Sequence, residues 1–174
     1  MKKTVWMYGL ISGAVCSVLM ISTLPFENKI GFDWALLLGY TTMVLAFLLV
    51  FFGIRSYREH QGEGHITFLR GFSVGILITL ISCVCYVATW EVIYFKFMPD
   101  FMDKYGAHMI ERARASGASA AAIQALTEQM KKSKAMYDNP FFNAVMTFIE
   151  PFPVGLVMTL ISALLLRKKA PVAA

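Results

Sequence analysis

Charge is what this sequence is short of. Asp, Glu, Lys and Arg together supply 16% of its 174 residues, against about 25% in soluble domains. A soluble domain of this length could bury a core, but it would need more polar residues to cover its surface. Cysteine is scarce as well. Cys16, Cys83 and Cys85 fall inside apolar runs, as small packing residues do, rather than in a disulfide framework. Cys83 and Cys85 are two apart, so a helix turns them to different faces and they cannot share a metal. Catalytic signatures are missing too: there is no nucleophile elbow, phosphate loop, His-Glu-x-x-His or haem motif. The expectation is a non-enzymatic protein without a cofactor.

What the chain has in quantity is apolar length. Hydrophobic residues make up 57%, and the mean hydropathy is +0.60. Four runs reach the roughly 20 residues that a helix needs to cross hydrocarbon. They cover about 4–24, 34–54, 71–91 and 147–166, the last preceded by more apolar sequence from Phe141. The first run begins after Lys2 and Lys3 but is longer than a signal-peptide core. No small-x-small site precedes Pro25, so it reads as a retained span. The predicted fold is all-α: a polytopic membrane protein forming one membrane domain over 1–174, with four transmembrane helices.

The net charge of +5 does not suggest nucleic acid, because the basic residues flank the apolar runs. Lys2, Lys3, Arg55, Arg58, Arg70, Arg167, Lys168 and Lys169 crowd into short segments on one side. An equal number, Lys29 among them, is spread over the other side, mostly along one long loop. Density therefore places both termini in the cytoplasm.

That long loop, about 95–140, reads as an extracytoplasmic helical hairpin between the third and fourth spans. Asp100 stands where an N-cap would, and Met102, Tyr105 and Met109 keep helical spacing until Gly117. A second helix is expected from Ser119 to about Met136, with Ile123, Leu126 and Met130 on one face. Asn139 and Pro140 then signal a new helix start.

Small residues recur every four positions: Gly9 and Gly13 in the first span, Gly71 and Gly75 in the third, Gly155, Thr159 and Ala163 in the fourth. Such spacing lets helix backbones approach closely when lipid removes the hydrophobic incentive to associate.

The candidate polar layer is formed by Glu91, Glu150, Asp33 and Lys96. Counting from Arg167 places Glu150 about 25 Å from the cytoplasmic edge, and counting from Arg70 places Glu91 at about 31 Å. Pro151 and Pro153 free the carbonyls of Thr147 and Ile149 beside the acid. Two readings follow. In one, Glu91 and Glu150 serve a proton or cation pathway. In the other, Glu150 pairs with Lys96, Lys29 or a tyrosine, and the prolines mark where an interfacial helix, Phe141 to Ile149, bends into the span. Tyr86, Trp90 and Tyr94 line one face of the third helix, and Trp90, Tyr94 and Trp34 suit an interfacial aromatic belt. The segment Arg55 to His65 holds two histidines and two glutamates, but as a glycine-punctuated loop it lacks the frame of a metal site.

Phe52-Gly-Ile-Arg55-Ser-Tyr57-Arg58-Glu59, Gly64-x-Ile66-x-Phe68 leading into Gly71 and Gly75, and Tyr86-x-x-x-Trp90-Glu91 carry a resemblance. With Pro140 to Arg167, they resemble the domain-of-unknown-function family 4199, small four-helix proteins of the bacterial inner membrane. The resemblance implies the topology and supplies no activity. The leading expectation is an accessory, scaffold or partner-binding membrane protein, in contact with lipids and with a membrane protein or a second copy. The alternative is a small transporter or channel-like protein using Glu91 and Glu150.

Overall fold

A computed structural model of the chain describes residues 1–23 and 32–168. Leu24, Pro25, Lys29 and Lys169 lie outside the described residues, as does the side chain of Asp33. Among the described residues there are seven helices and no strand: α1 Lys2–Thr23, α2 Phe32–Gln61, α3 Phe68–Lys96, α4 Phe101–Ala115, α5 Ala120–Tyr137, α6 Pro140–Ile149 and α7 Pro151–Leu166. The chain is all-α. Four segments are long and apolar enough to cross a membrane: Lys2–Thr23, Trp34–Gln61, Phe68–Lys96, and Pro140–Leu166, which joins α6 and α7.

Two of these helices outrun the apolar sequence that predicts them. The pattern of apolar residues ends α2 at Ile54, yet the helix continues about two turns further, to Gln61. Charge ends an apolar run without ending a helix, because Arg, Glu and Gln are good helix formers. The stop is conformational. A Cβ on Gly62 would lie 2.1 Å from the His65 carbonyl oxygen, and Gly64 adopts φ +79. Arg55, Tyr57 and Arg58 are therefore helical, and the loop shrinks to the residues between Gln61 and Phe68.

The described chain forms two compact units, Met1–Val87 with Phe148 onward, and Ala88–Thr147. The first holds α1, α2, most of α3, and α7. Its burial runs opposite to that of a soluble bundle. Thr4, Ser12, Thr79, Ser82, Thr159 and Ser162 are buried, while Trp6, Leu10, Ile11, Leu36, Leu45, Val84, Ile161 and Leu165 are exposed. Lipid accepts apolar side chains at no cost, so hydroxyls turn inward to find acceptors and small residues set the helix spacing. Ser12 donates to the Ala46 carbonyl at 3.1 Å, Ser82 to the Gly9 carbonyl at 3.3 Å, and the Thr79 and Thr159 hydroxyls meet at 3.0 Å. An added Cβ would fall 2.8 Å from Ile81 at Gly9, 2.6 Å from Cys85 at Gly13, 2.8 Å from Thr159 at Gly75 and 2.4 Å from Thr79 at Gly155. Gly71 lies against Ala163 with ordinary contact. Phe47, Val50, Ile54, Val74 and Ile78 fill the centre.

The second unit holds the end of α3, the helical pair α4 and α5, and most of α6. Gly117, at φ +78, closes the turn between the pair. Ser119 caps α5 by accepting from the Ala122 amide, and Gly106 lets α4 approach Met130. Asp100 does not cap α4; its carboxylate pairs with Lys104 at 2.9 Å instead. Asn139 caps α6 from both the Phe141 and Phe142 amides, with Pro140 at the first position. Along α6 the polar Asn143 and Thr147 are buried and Phe141, 80% exposed, points outward with Val145 and Met146.

Candidate functional site

The break between α6 and α7 follows from chemistry at two positions. Pro151 and Pro153 have no amide hydrogen, so the hydrogen-bond ladder of α6 cannot pass through them. The helix stops at Ile149, Pro151 opens the next, and Glu150 stands in the gap. Phe148 and Phe152 stack across it, with ring centroids 5.3 Å apart. The helix break expected after Ile149 is thus present. The Glu150 carboxylate accepts a hydrogen bond from the Tyr86 hydroxyl, Oε2 to Oη 3.2 Å. Of the partners weighed for this acid, the one it meets among the described residues is a tyrosine; Lys29 lies outside them.

Glu91 belongs to the second unit. Its Oε1 is shielded from solvent and has no hydrogen-bond partner among the described residues. Lys96 is exposed in the last turn of α3, where a cation suits the carbonyl end of the helix. The four residues of the expected layer therefore divide. Glu150 has its partner within the first unit, Glu91 and Lys96 lie on the second, and Asp33 starts α2 with a side chain outside the described residues.

A larger polar construction lies elsewhere, inside the second unit. Tyr94, 1% exposed, donates to Asp138 Oδ1 at 2.6 Å. Lys134 reaches Asp138 Oδ2 at 3.2 Å and Asp103 of α4 at 3.3 Å. Trp90 Nε1 donates to the Tyr137 hydroxyl at 3.1 Å, and Asn143 Nδ2 donates to the Tyr137 carbonyl at 3.2 Å. Thr147 donates to Asn143 Oδ1 at 3.1 Å. Trp90 also meets Phe101 edge to face at 5.1 Å, and Tyr94 meets Tyr137 at 5.2 Å. The hydroxyl of Tyr94, and then Lys134, hold the Asp138 carboxyl below its usual range; Asp138, and then Asp103, raise the Lys134 ammonium above its own. The hairpin is pinned to the ends of α3 and α6 through this network.

Sequence reasoning assigned Trp90 and Tyr94 to a belt and passed over Tyr137, Asp138, Lys134 and Asn143. A usable signal was there: Lys134, Asp138 and the Tyr137-Asp138-Asn139-Pro140 run sit at a helix end, where side chains are free to reach another element. In the Arg55 to His65 stretch, His60 and His65 each place Nδ1 on a nearby backbone carbonyl, those of Ser56 and Glu63. Among the described residues no three His, Cys, Asp or Glu side chains converge.

A family model described as protein of unknown function (DUF4199) matches residues 7–168, and the chain belongs to that family. No curated protein and no solved structure matches it.

Proposed function

We propose that this protein is a non-enzymatic scaffold of the bacterial inner membrane, with both termini in the cytoplasm and a helical hairpin held on the outer side for a membrane-protein partner or a second copy of the chain. The observation that carries the reading is the side-chain network of Trp90, Tyr94, Lys134, Tyr137, Asp138 and Asn143. A tether needs no such construction. A surface that must be presented in one orientation does, since ordering it in advance lowers the entropy cost of binding. The topology rests on the density of basic residues at the ends of the first unit.

Two measurements test this. Ser116→Cys, at the hairpin turn, is expected to react with a membrane-impermeant maleimide in intact spheroplasts; reaction only after lysis puts the hairpin on the wrong side. A photo-crosslinking residue at Met136, half-exposed on α5, is expected to give a discrete protein adduct in membranes. Adducts to lipid alone would remove the scaffold reading.

A specific observation favours a second reading, a proton or cation pathway: Glu91 Oε1 is shielded and unpartnered among the described residues. An acid within a membrane-spanning helix and without a donor is a candidate for proton or cation transfer. Proteoliposomes settle it. A flux that Glu91→Gln abolishes while the folded yield is kept supports transport, and no flux in the parent protein removes it.

A further inference from the structure

One end of the first unit carries a construction that neither reading uses. There the ends of its helices are tied together. The amino-terminal ammonium of Met1 donates to Gln61 Oε1, and Gln61 Nε2 donates to the Thr4 hydroxyl at 2.7 Å. Arg58 reaches the Leu166 carbonyl at the end of α7 at 3.3 Å. Beyond α2 the loop bends back, and Ile66 and Lys168 exchange two backbone hydrogen bonds, each 2.9 Å. This antiparallel bridge sets the start of α3 beside the segment that leaves α7.

Between them lies a concavity of about 270 Å³ lined by Tyr57, Gly62, His65, Ile66, Thr67, Arg70 and Lys168. Its charged lining is cationic, and no carboxylate contributes to it. Glu59, on the neighbouring turn, is bound by Arg58 at 2.6 Å. Arg70 is held in place: Nε donates to the Tyr57 hydroxyl at 3.0 Å, and the guanidinium sits 5.8 Å from the centre of the Tyr57 ring. Holding Arg70 by Nε leaves its paired Nη groups, the fork that grips tetrahedral oxyanions, without a protein acceptor among the described residues. The Lys168 ammonium makes no close ion pair with a described residue; it feels the Glu59 carboxylate only from farther off, and Arg58 already holds that carboxylate. Thr67, which also lines the concavity, caps α3 by accepting from the Arg70 amide at 3.3 Å, so the amino end of α3 borders the same space.

We propose that this concavity binds the phosphate of an anionic phospholipid headgroup. Its placement selects a lipid over free phosphate. It sits at the ends of membrane-spanning helices, and the residues beside its two cations are built to meet acyl chains: Leu69, next to Arg70, is 74% exposed, and Leu165, three residues before Lys168, is 71% exposed. A solvated basic end of the ordinary positive-inside kind would have mobile cations and no shaped cavity. Here one cation is fixed on an aromatic ring, and the second is brought in by a backbone bridge.

The test is binding of phosphatidylglycerol to the full-length protein in detergent, by native mass spectrometry and by titration with mixed micelles. Phosphatidylcholine and inorganic phosphate are the comparison probes. The parent protein is expected to retain phosphatidylglycerol in preference to phosphatidylcholine. Arg70→Gln and Lys168→Gln are each expected to weaken that binding about tenfold, the loss of one hydrogen bond to a charged group. Lys131→Gln, which removes an exposed charge from α5, is expected to leave it unchanged. Lys168→Gln keeps the backbone bridge, so its folded yield controls for misfolding of Arg70→Gln. An equal loss with Lys131→Gln would make the effect one of net charge and overturn the site. Unchanged binding in both cavity variants overturns it too. Displacement of the lipid by millimolar inorganic phosphate shows a free-phosphate site and overturns the lipid assignment.

Discussion

The two units solve the same problem with different chemistry. In the first, glycines let side chains of the neighbouring helix come close, serine and threonine hydroxyls meet acceptors across the seams, and Phe47, Val50, Ile54, Val74 and Ile78 fill the centre. In the second, the elements are held by tryptophan, tyrosine, lysine and aspartate reaching from one to another. The surroundings explain the contrast. In lipid, an apolar side chain gains nothing by moving to the interior, so association depends on close packing and on hydroxyls finding carbonyls. In water and at the interface, aromatic burial again has value, and an ion pair at the surface can be kept without large desolvation. The first unit should therefore fail through steric intrusion and the second through loss of polar partners.

The largest effect is expected at Gly155. A Cβ there would stand 2.4 Å from the Thr79 methyl and 3.0 Å from Phe47. Gly155→Val should cost about 3 kcal/mol, read as loss of the monodisperse folded fraction in detergent; a normal yield would break the close-packing account. Next comes Tyr94→Phe, which keeps the ring and removes the donor to Asp138. It should lower the local stability of the hairpin by about 2 kcal/mol, seen as faster amide exchange in α5 with α1 and α2 unaffected. Equal acceleration in both units would mean that they unfold together. Thr79→Val, by contrast, deletes the hydroxyl that meets Thr159 and should cost only about 0.6 kcal/mol, measured by unfolding in mixed micelles.

The smallest effect is ionic. Asp138 is held below its ordinary range, so its contribution is complete above the unfolded carboxylate range and is lost as pH falls through its folded value. Lys134 is raised, so its contribution is complete below the ordinary lysine range and is lost as pH rises through its folded value. Exchange protection in α5 should thus be greatest between about pH 5 and pH 9, and Lys134→Gln should flatten its alkaline limb. The change is a few tenths of a kcal/mol, about what exposed ion pairs contribute. It should shrink further in high salt, and an α6 with unchanged exchange would localise it to the hairpin.

The spans were legible because bilayer thickness imposes a length that apolar sequence cannot hide, and the hairpin because Gly117, Ser119 and Asn139-Pro140 are turn and cap signals with fixed local geometry. The two proline positions likewise announced the break after Ile149. The ends of α2 and α3 were harder to place, since hydropathy marks where lipid stops rather than where the helix stops. The network around Asp138 was legible only as polar residues at a helix end, without their partners. It joins residues from α3, α5 and α6, and only the fold brings Tyr94 and Asp138 within 2.6 Å. Asp100 shows the opposite failure: the expected cap residue is in place, but a lysine one turn on takes its carboxylate.

The restart at Pro151 leaves α7 with 16 residues, a rise of about 24 Å. That is some 6 Å less than an average hydrocarbon layer. Acyl-chain length therefore becomes a variable for this protein. Under short-chain lipids the bilayer surface descends to the level of Glu150, and the acid meets water. Under long-chain lipids Glu150 is drawn into hydrocarbon, with Tyr86 beside it as donor. Membrane thickness alone would thus set how much water reaches one carboxyl, without any ligand.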